Sequence, residues 1–519
     1  MADMILYNAD VLTMDPAHPR ARLIAIEANR IVAVSQSNQM RHLQKPHTRI
    51  IDCSGKTIVP GFIDAHCHLR PLAESLVCLD LSPQGSVRSI SDIQDRICSI
   101  SQNLQPGDWI KGRGYDEFRL GEQRHPDRRD LDLATSVHPV RITHRSGRAH
   151  VLNTPALEIA GITCESGDPP GGLVDRDPGT GEPTGILYEM GPYLASRIPG
   201  LDDRELQLGI RKANRLLLAS GITSIQDATW YNGPAQIRAA RAWKANGIFE
   251  PRLSMMVGES GFQERSQTDP KRLPTLEHPV RVTGVKIVID ESTGNRQPSQ
   301  EDLDDLCFRA NAAGMQIAIH AVEEGAVEAA CAGIERALQK FRRPNHRHRI
   351  EHCSVCPPHL VERIRRAGIW VVTQPSFLHF SGDRYLQTVP PEQLRYLYPI
   401  GALARAGVHV AFGSDFPVTP PAPLIGIQSA VTRTTPVGRV VGGTERIGPL
   451  EALQMHTQLA AAASFEEGDK GSLTPGKLAD LVVLSDNPAK AAPDRIKDIT
   501  VEWTVIDGQI AWEMGDGAP

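Results

Sequence analysis

The sequence predicts an α/β chain: a (β/α)8 TIM-type barrel, with a small β-sandwich domain built from both termini and an α/β subdomain inserted after the first barrel strand. Three observations lead there. Short apolar runs alternate with helical segments through the middle of the chain, the pattern of parallel βα units. Eight such runs can be counted, which is enough to close a barrel, and the two ends carry strand-and-turn patterns of their own.

At 519 residues the chain is too long for one ordinary core. Met4 to Asp15, Arg22 to Ser35 and Arg49 to Val59 read as short strands, as do Ala479 to Leu484 and Thr500 to Trp512, where Asp507-Gly508 is a hairpin signal. Residues 1–58 and 470–519 are therefore expected to fold together, leaving 59–469 for the barrel. The barrel strands are expected at Phe62–His68, Ile222–Asp227, Arg252–Val257, Val282–Asp290, Gln316–His320, Arg349–Cys353, Ile369–Gln374 and Val408–Asp415. Most are rich in Val and Ile, as strands covered on both faces should be. More than 150 residues separate the first two, far beyond one crossover helix, so a subdomain is expected at about 85–205. It includes the Gly/Pro-rich run GDPPGGLVDRDPGTGEPTG, and its loops are expected on the catalytic face.

Composition removes several classes of function. Lys+Arg 56 against Asp+Glu 61 gives a net charge of -5, with no polybasic run to track phosphates, so nucleic acid is not an expected partner. No stretch reaches the roughly 18 apolar residues of a membrane span, and the start MADMILYNADVLTMD lacks the features of a signal peptide; a cytoplasmic enzyme acting on a small molecule is expected, with homo-oligomerisation left open. Nine scattered cysteines fit a reducing compartment better than a disulfide framework, and Cys353 and Cys356, a lone CxxC, are read as packing near a strand end.

Chemistry-bearing residues gather at the C-terminal ends of the expected strands. His66-Cys67-His68 closes the first, and residues i and i+2 of a strand point the same way and can share a metal. An HxH alone is weak: His346-Arg347-His348 is a second copy, read as a solvated loop because arginines surround it. The company of the first copy distinguishes it. His320 closes strand five, His352 strand six and Asp415 strand eight, at separations of one and about two βα units, so all arrive at the rim where TIM barrels hold their active sites. Lys286, in GVKIVID, suggests a second metal, because a lysine buried beside cations is driven to the neutral amine, which can take up carbon dioxide as a bridging carbamate.

The segments VPGFIDAHCHL, GVKIVID, IAIHAVEEGAV, RHRIEHCSV and VAFGSDFPV, with GSLTPGKLADLVVLSDNP near the C-terminus, resemble the amidohydrolase superfamily, in particular its amidohydrolase-3 (YtcJ-like) branch. The resemblance implies His66 and His68 as ligands of one metal, His320 and His352 as ligands of the other, Lys286 as a carboxylated bridge, and Asp415 as both ligand and catalytic acid/base. Two zinc ions per chain are implied, with iron or manganese tolerated by the same donors. The implied reaction is cleavage of a C–N bond in an N-substituted amide, formamide, carbamate or cyclic amide by metal-bound hydroxide.

Two departures stand out. Arg148 occupies a place where relatives commonly carry histidine, which favours a carboxylate-bearing substrate. His320-Ala-Val-Glu323 resembles the metal-plus-shuttle pair of mononuclear deaminases, although Glu324 is the residue that aligns. A mononuclear aminohydrolase acting on a heterocycle is therefore the alternative, and a catalytically silent binding protein a third reading. Trp109, Tyr115, Asp116, His144, Arg148 and Gln374 are expected to line the substrate pocket.

Overall fold

The computed structural model describes residues 1–83, 85–268, 279–291 and 296–515. The chain divides into two compact units, one made of residues 1–69 and 214 onward, the other of 70–213.

In the first unit a single eight-stranded parallel sheet runs Phe62–Cys67, Ile222–Asp227, Arg252–Val257, Val280–Val288, Gln316–Ala321, Arg349–His352, Trp370–Thr373 and Val410–Phe412, each hydrogen-bonded to the next. All eight are at the expected places. The last is shorter than expected, because the chain leaves extended geometry after Phe412 and Asp415 adopts a left-handed backbone (φ 58°). Helices cover the sheet between strands, and their ends are set locally. Ser299 accepts from the backbone N–H of Asp302 to start Gln300–Ala312, and Gly368, at φ 63°, ends Pro358–Ala367 as only a residue without a Cβ does freely.

The termini build the expected sandwich. One sheet orders Arg30–Ser35, Leu23–Glu27, Met4–Tyr7 and Arg49–Asp52. The other orders Gln509–Glu513, Val501–Ile506, Leu481–Leu484, Thr57–Pro60, Asp10–Leu12 and Arg20–Ala21. N- and C-terminal segments meet directly in that second sheet, where Thr57–Pro60 runs antiparallel to Leu481–Leu484. Leu6, Val11, Ile24, Ile58, Leu481, Val483 and Val505 fill the core between the sheets. Arg252, at the start of the third barrel strand, reaches Asp480 (2.5 and 2.9 Å) and Asp507 (2.7 Å) of the sandwich, so the two parts share a partly buried charge cluster. Residues 516–519 of the expected sandwich lie outside the described residues.

The second unit is a six-stranded mixed sheet ordered Leu173–Arg176, Pro183–Tyr188, Ala149–Leu152, Val140–His144, Ile110–Tyr115 and Leu79–Asp80. Its helices Ile90–Ser101 and Arg128–Ala134 each begin with a capping box, Ser89 with Asp92 and Asp127 with Asp130.

The His346-Arg347-His348 triplet is not a solvated loop. His348 is fully buried, its Nδ1 accepting from the N–H of Ile317 (3.0 Å) and its Nε2 lying 3.0 Å from Asn311 Oδ1, while Arg347 pairs with Glu467. Local charge suggested solvent, but partners distant in sequence satisfy each polar group. All nine cysteines are free, with Cys353 and Cys356 buried, and among the described residues no helix is long and apolar enough to cross a membrane.

At the N-terminal ends of the second to fourth barrel strands sits a buried polar cluster. Glu466 faces Arg281 (3.2 Å) and Lys470 (3.0 Å) and accepts from Ser254 (3.2 Å) and Ser464 (2.8 Å). Burial by itself would push the Glu466 carboxyl up, but Lys470 and Arg281 outweigh it and hold the group at about 2 against the usual 4.5. A depressed folded-state value contributes stability above about pH 4.5 that is lost as pH falls toward 2. Glu466→Ala, which strands two buried cations, is expected to destabilise the protein by about 3–5 kcal/mol at neutral pH. Urea denaturation of parent and variant should show that gap narrowing below about pH 4.5.

Candidate metal centre

Four imidazoles converge at the C-terminal rim of the barrel. The His66 ring centroid lies 5.3 Å from that of His68 and 4.8 Å from that of His352, which is 4.3 Å from that of His320. Asp415 Oδ1 completes one end, 3.0 Å from His68 Nε2 and 3.4 Å from His66 Nε2. The ligand atoms of His66, His68 and Asp415 all lie within 4.8 Å of one another, the spacing of a closed metal-binding group.

Backbone geometry makes this convergence possible. In a regular strand Glu351 and His352 would point to opposite faces. His352 is left-handed at φ 71°, as is Cys353 at φ 50°, and this break in alternation lets both side chains face inward. Such conformations cost of order 1–3 kcal/mol in a residue with a Cβ and persist where surrounding contacts over-determine them.

The ring orientations are fixed from behind. His66 Nδ1 hydrogen-bonds the fully buried Glu351 carboxylate, which leaves the Nε2 lone pair directed at the centre. Arg349, also fully buried, donates from Nε to Glu351, from Nη1 to Gln226 Oε1 (2.5 Å) and from Nη2 to the carbonyl of Ala65 (2.8 Å). Burial would push the Glu351 carboxyl up, but Arg349 and His66 hold it well below the usual carboxylate range, so it stays an acceptor. His352 Nδ1 bonds Gln374 Oε1 (2.8 Å) and His68 Nδ1 bonds Thr229 Oγ1 (3.0 Å). Asp227 steadies Thr229 by accepting its N–H (2.9 Å).

The donor atoms fit a metal. Among the described residues, the buried His66 Nε2, His352 Nε2 and Lys286 Nζ find no hydrogen-bond partner, an expensive arrangement unless a cation takes up the lone pairs. Burial pushes His352 down to about 3 and Lys286 down to about 8, the latter opposed by Glu351 and Asp415. Both shifts favour the neutral forms that can donate electrons. For Asp415, burial acts upward, but the adjacent His66 and His68 imidazoles hold the carboxyl well below its ordinary value.

Of the residues expected from the sequence, His66, His68, His320, His352 and Asp415 come together, and Lys286 is buried close enough for its charge to act on His352 and Glu351. Gln374, expected to touch substrate, is instead fully buried behind His352 as its hydrogen-bond partner. Glu323 occupies the exposed N-cap position of the helix Glu324–Lys340, and Glu324 lies 3.8 Å from His359.

In the second unit Tyr115 is fully buried in the core and bonds His125 (3.0 Å), rather than standing on a pocket wall, and Trp109 packs half-buried against a second apolar cluster. Asp116 accepts from the N–H of Phe118 (3.2 Å), His144 Nε2 lies 2.8 Å from Glu117, and Arg148 pairs with Glu189 (3.1 Å). Sequence reasoning passed over Glu351, Arg349 and Thr229. The Arg-Ile-Glu spacing in RIEHC does place Arg349 and Glu351 on one strand face, the signal that points to a buried pair.

Comparison with known proteins agrees with this geometry. The amidohydrolase family model matches residues 49–511. N-substituted formamide deformylase of Arthrobacter pascens is 28% identical over 544 residues, covering 99% of each chain, and YtcJ of Bacillus subtilis is 27% identical, covering 98% of this chain and 99% of its own. Among solved structures, an uncharacterized metal-dependent hydrolase from Pyrococcus furiosus shares the fold at a TM-score of 0.74 and 24% identity, over 94% of this chain and all of that one. The chain belongs to the amidohydrolase family and is a metal-dependent hydrolase of carbon–nitrogen bonds.

Proposed function

We propose that this protein hydrolyses an N-substituted formamide, or a closely related small amide, carbamate or cyclic amide, at a centre of two divalent metals. The observation that carries the reading is the array His68, His66, His352, His320, with Asp415 at one end and the Lys286 amine, without a hydrogen-bond partner among the described residues, buried close enough for its charge to act on His352. The full-length likeness to a formamide deformylase supports the choice of substrate class.

His66, His68 and Asp415 would hold one ion, and His320 and His352 the other. Neutral Lys286 could add through Nζ to carbon dioxide and release a proton, giving a carbamate that would serve as a further anionic donor to the ions. Imidazole, carboxylate and carbamate donors suit zinc, and iron or manganese accept the same set. Bound there, such ions supply Lewis acidity that brings the pKa of water from 15.7 toward about 7 and polarises the carbonyl under attack. Asp415, ionised and held by His66 and His68, accepts the proton of the attacking water. As the C–N bond breaks it passes that proton to the nitrogen, so that an amine and a carboxylic acid leave instead of a costly amide anion.

Metal-loaded protein assayed against N-substituted formamides, with N-acyl, carbamate and cyclic-imide compounds alongside, should release amine and acid in equal amounts. Asp415→Asn should lower kcat by about 10²–10⁴-fold. Inertness toward the whole panel would overturn the proposal. Elemental analysis should find metal near two per chain, falling toward one in Lys286→Ala with most activity lost; a single metal and full tolerance of Lys286→Ala would replace this reading with a mononuclear aminohydrolase. Glu351→Gln should weaken metal affinity by about 10–100-fold in chelator competition, through the lost hold on His66.

A further inference from the structure

The barrel ladder begins at Phe62–Cys67 and ends at Val410–Phe412, and the seam between these two strands is closed by the residues that carry the chemistry. The N–H of Asp415 donates to the carbonyl of His66 (2.8 Å), and the N–H of His68 donates to the carbonyl of Phe416 (3.0 Å). The approach is tight: a Cβ on Gly413 would fall 2.5 Å from the His66 nitrogen.

Asp64 lies in this seam, 2% exposed. Standing two residues before His66 on the same strand, it has the chemistry of a third ligand, yet its oxygens are already engaged. Oδ1 accepts from the N–H groups of His66 (3.2 Å) and Ser414 (3.0 Å), and Oδ2 accepts from the Ser414 hydroxyl (2.6 Å). The same hydroxyl oxygen accepts from the N–H of Phe416 (3.1 Å), and the Ser414 carbonyl accepts from the Thr419 hydroxyl (2.6 Å). Asp415, in its left-handed conformation, is thus gripped on both sides along the chain.

We propose that Asp64 and Ser414 form a clasp that positions the Asp415 carboxylate, Asp64 being a positioning residue rather than a metal ligand; this rests on the assignment of Asp415 as the acid/base. The clasp ties the strand bearing His66 and His68 to the turn bearing Asp415, so that metal and proton-transfer geometry are set by one carboxylate. A displacement of about 1 Å in a reacting group costs on the order of 10²-fold in rate. Loosening this link therefore acts on kcat.

The test compares Ser414→Ala, Ser414→Thr and Asp64→Asn in metal-loaded protein, with an N-substituted formamide as probe. Ser414→Ala should keep its metal content and its KM within about twofold while kcat falls about 10–100-fold. Ser414→Thr, which restores the hydroxyl, should recover most of the loss. Asp64→Asn should behave as Ser414→Ala, and the double variant should lose no more than the worse single one. Unchanged kcat, or activity lost in step with metal, overturns the clasp. Hydrogen–deuterium exchange of the 411–419 segment needs no substrate. Faster exchange at the Asp415 and Phe416 amides in Ser414→Ala is expected, and unchanged exchange overturns the clasp even if the parent hydrolyses none of the probes, a result that would separately overturn the proposed function.

Discussion

A guanidinium enclosed in the interior of a barrel requires a carboxylate beside it, and in this protein that carboxylate also holds a histidine. Arg349, Glu351 and His66 form one buried chain of charge-assisted hydrogen bonds from the middle of the barrel to its rim. Because Arg349 also binds Gln226 and the backbone of Ala65, the chain links strands one, two and six. Ligand direction at the rim therefore follows from charge neutralisation inside the barrel.

The division of labour between the two ends of the barrel follows the same logic. At the N-terminal ends of the strands, Glu466 is saturated by two cations and two hydroxyls. Toward the C-terminal ends, His66 Nε2, His352 Nε2 and Lys286 Nζ find no hydrogen bond among the described residues, and backbones are held in left-handed conformations.

Much of this could be read from the sequence. The eight barrel strands were legible because each is a short apolar run, most of them rich in Val and Ile, and His66, His68, His320, His352 and Asp415 because each closes such a run. What stayed hidden depends on tertiary contact. Glu351 reads as an ordinary charged residue until Arg349 and His66 are seen to neutralise it, and nothing local marks His352 or Asp415 as left-handed, since neither is glycine. His348 misled because its neighbours are arginines, whereas its partners Asn311 and Ile317 lie 37 and 31 residues away. Gln374 was placed correctly at the end of strand seven but on the wrong side of the ligand it serves.

The pairing of Thr57–Pro60 with Leu481–Leu484 has a bearing on how the protein is made. These segments are separated by more than 400 residues, and the first barrel strand follows Thr57–Pro60 almost at once. On a ribosome, Thr57–Pro60 emerges long before Leu481–Leu484 exists. That edge of Thr57–Pro60 stays unpaired until then, and unpaired apolar edges invite association with other chains. The second sheet of the sandwich is therefore completed only after the barrel strands between these two segments have been made.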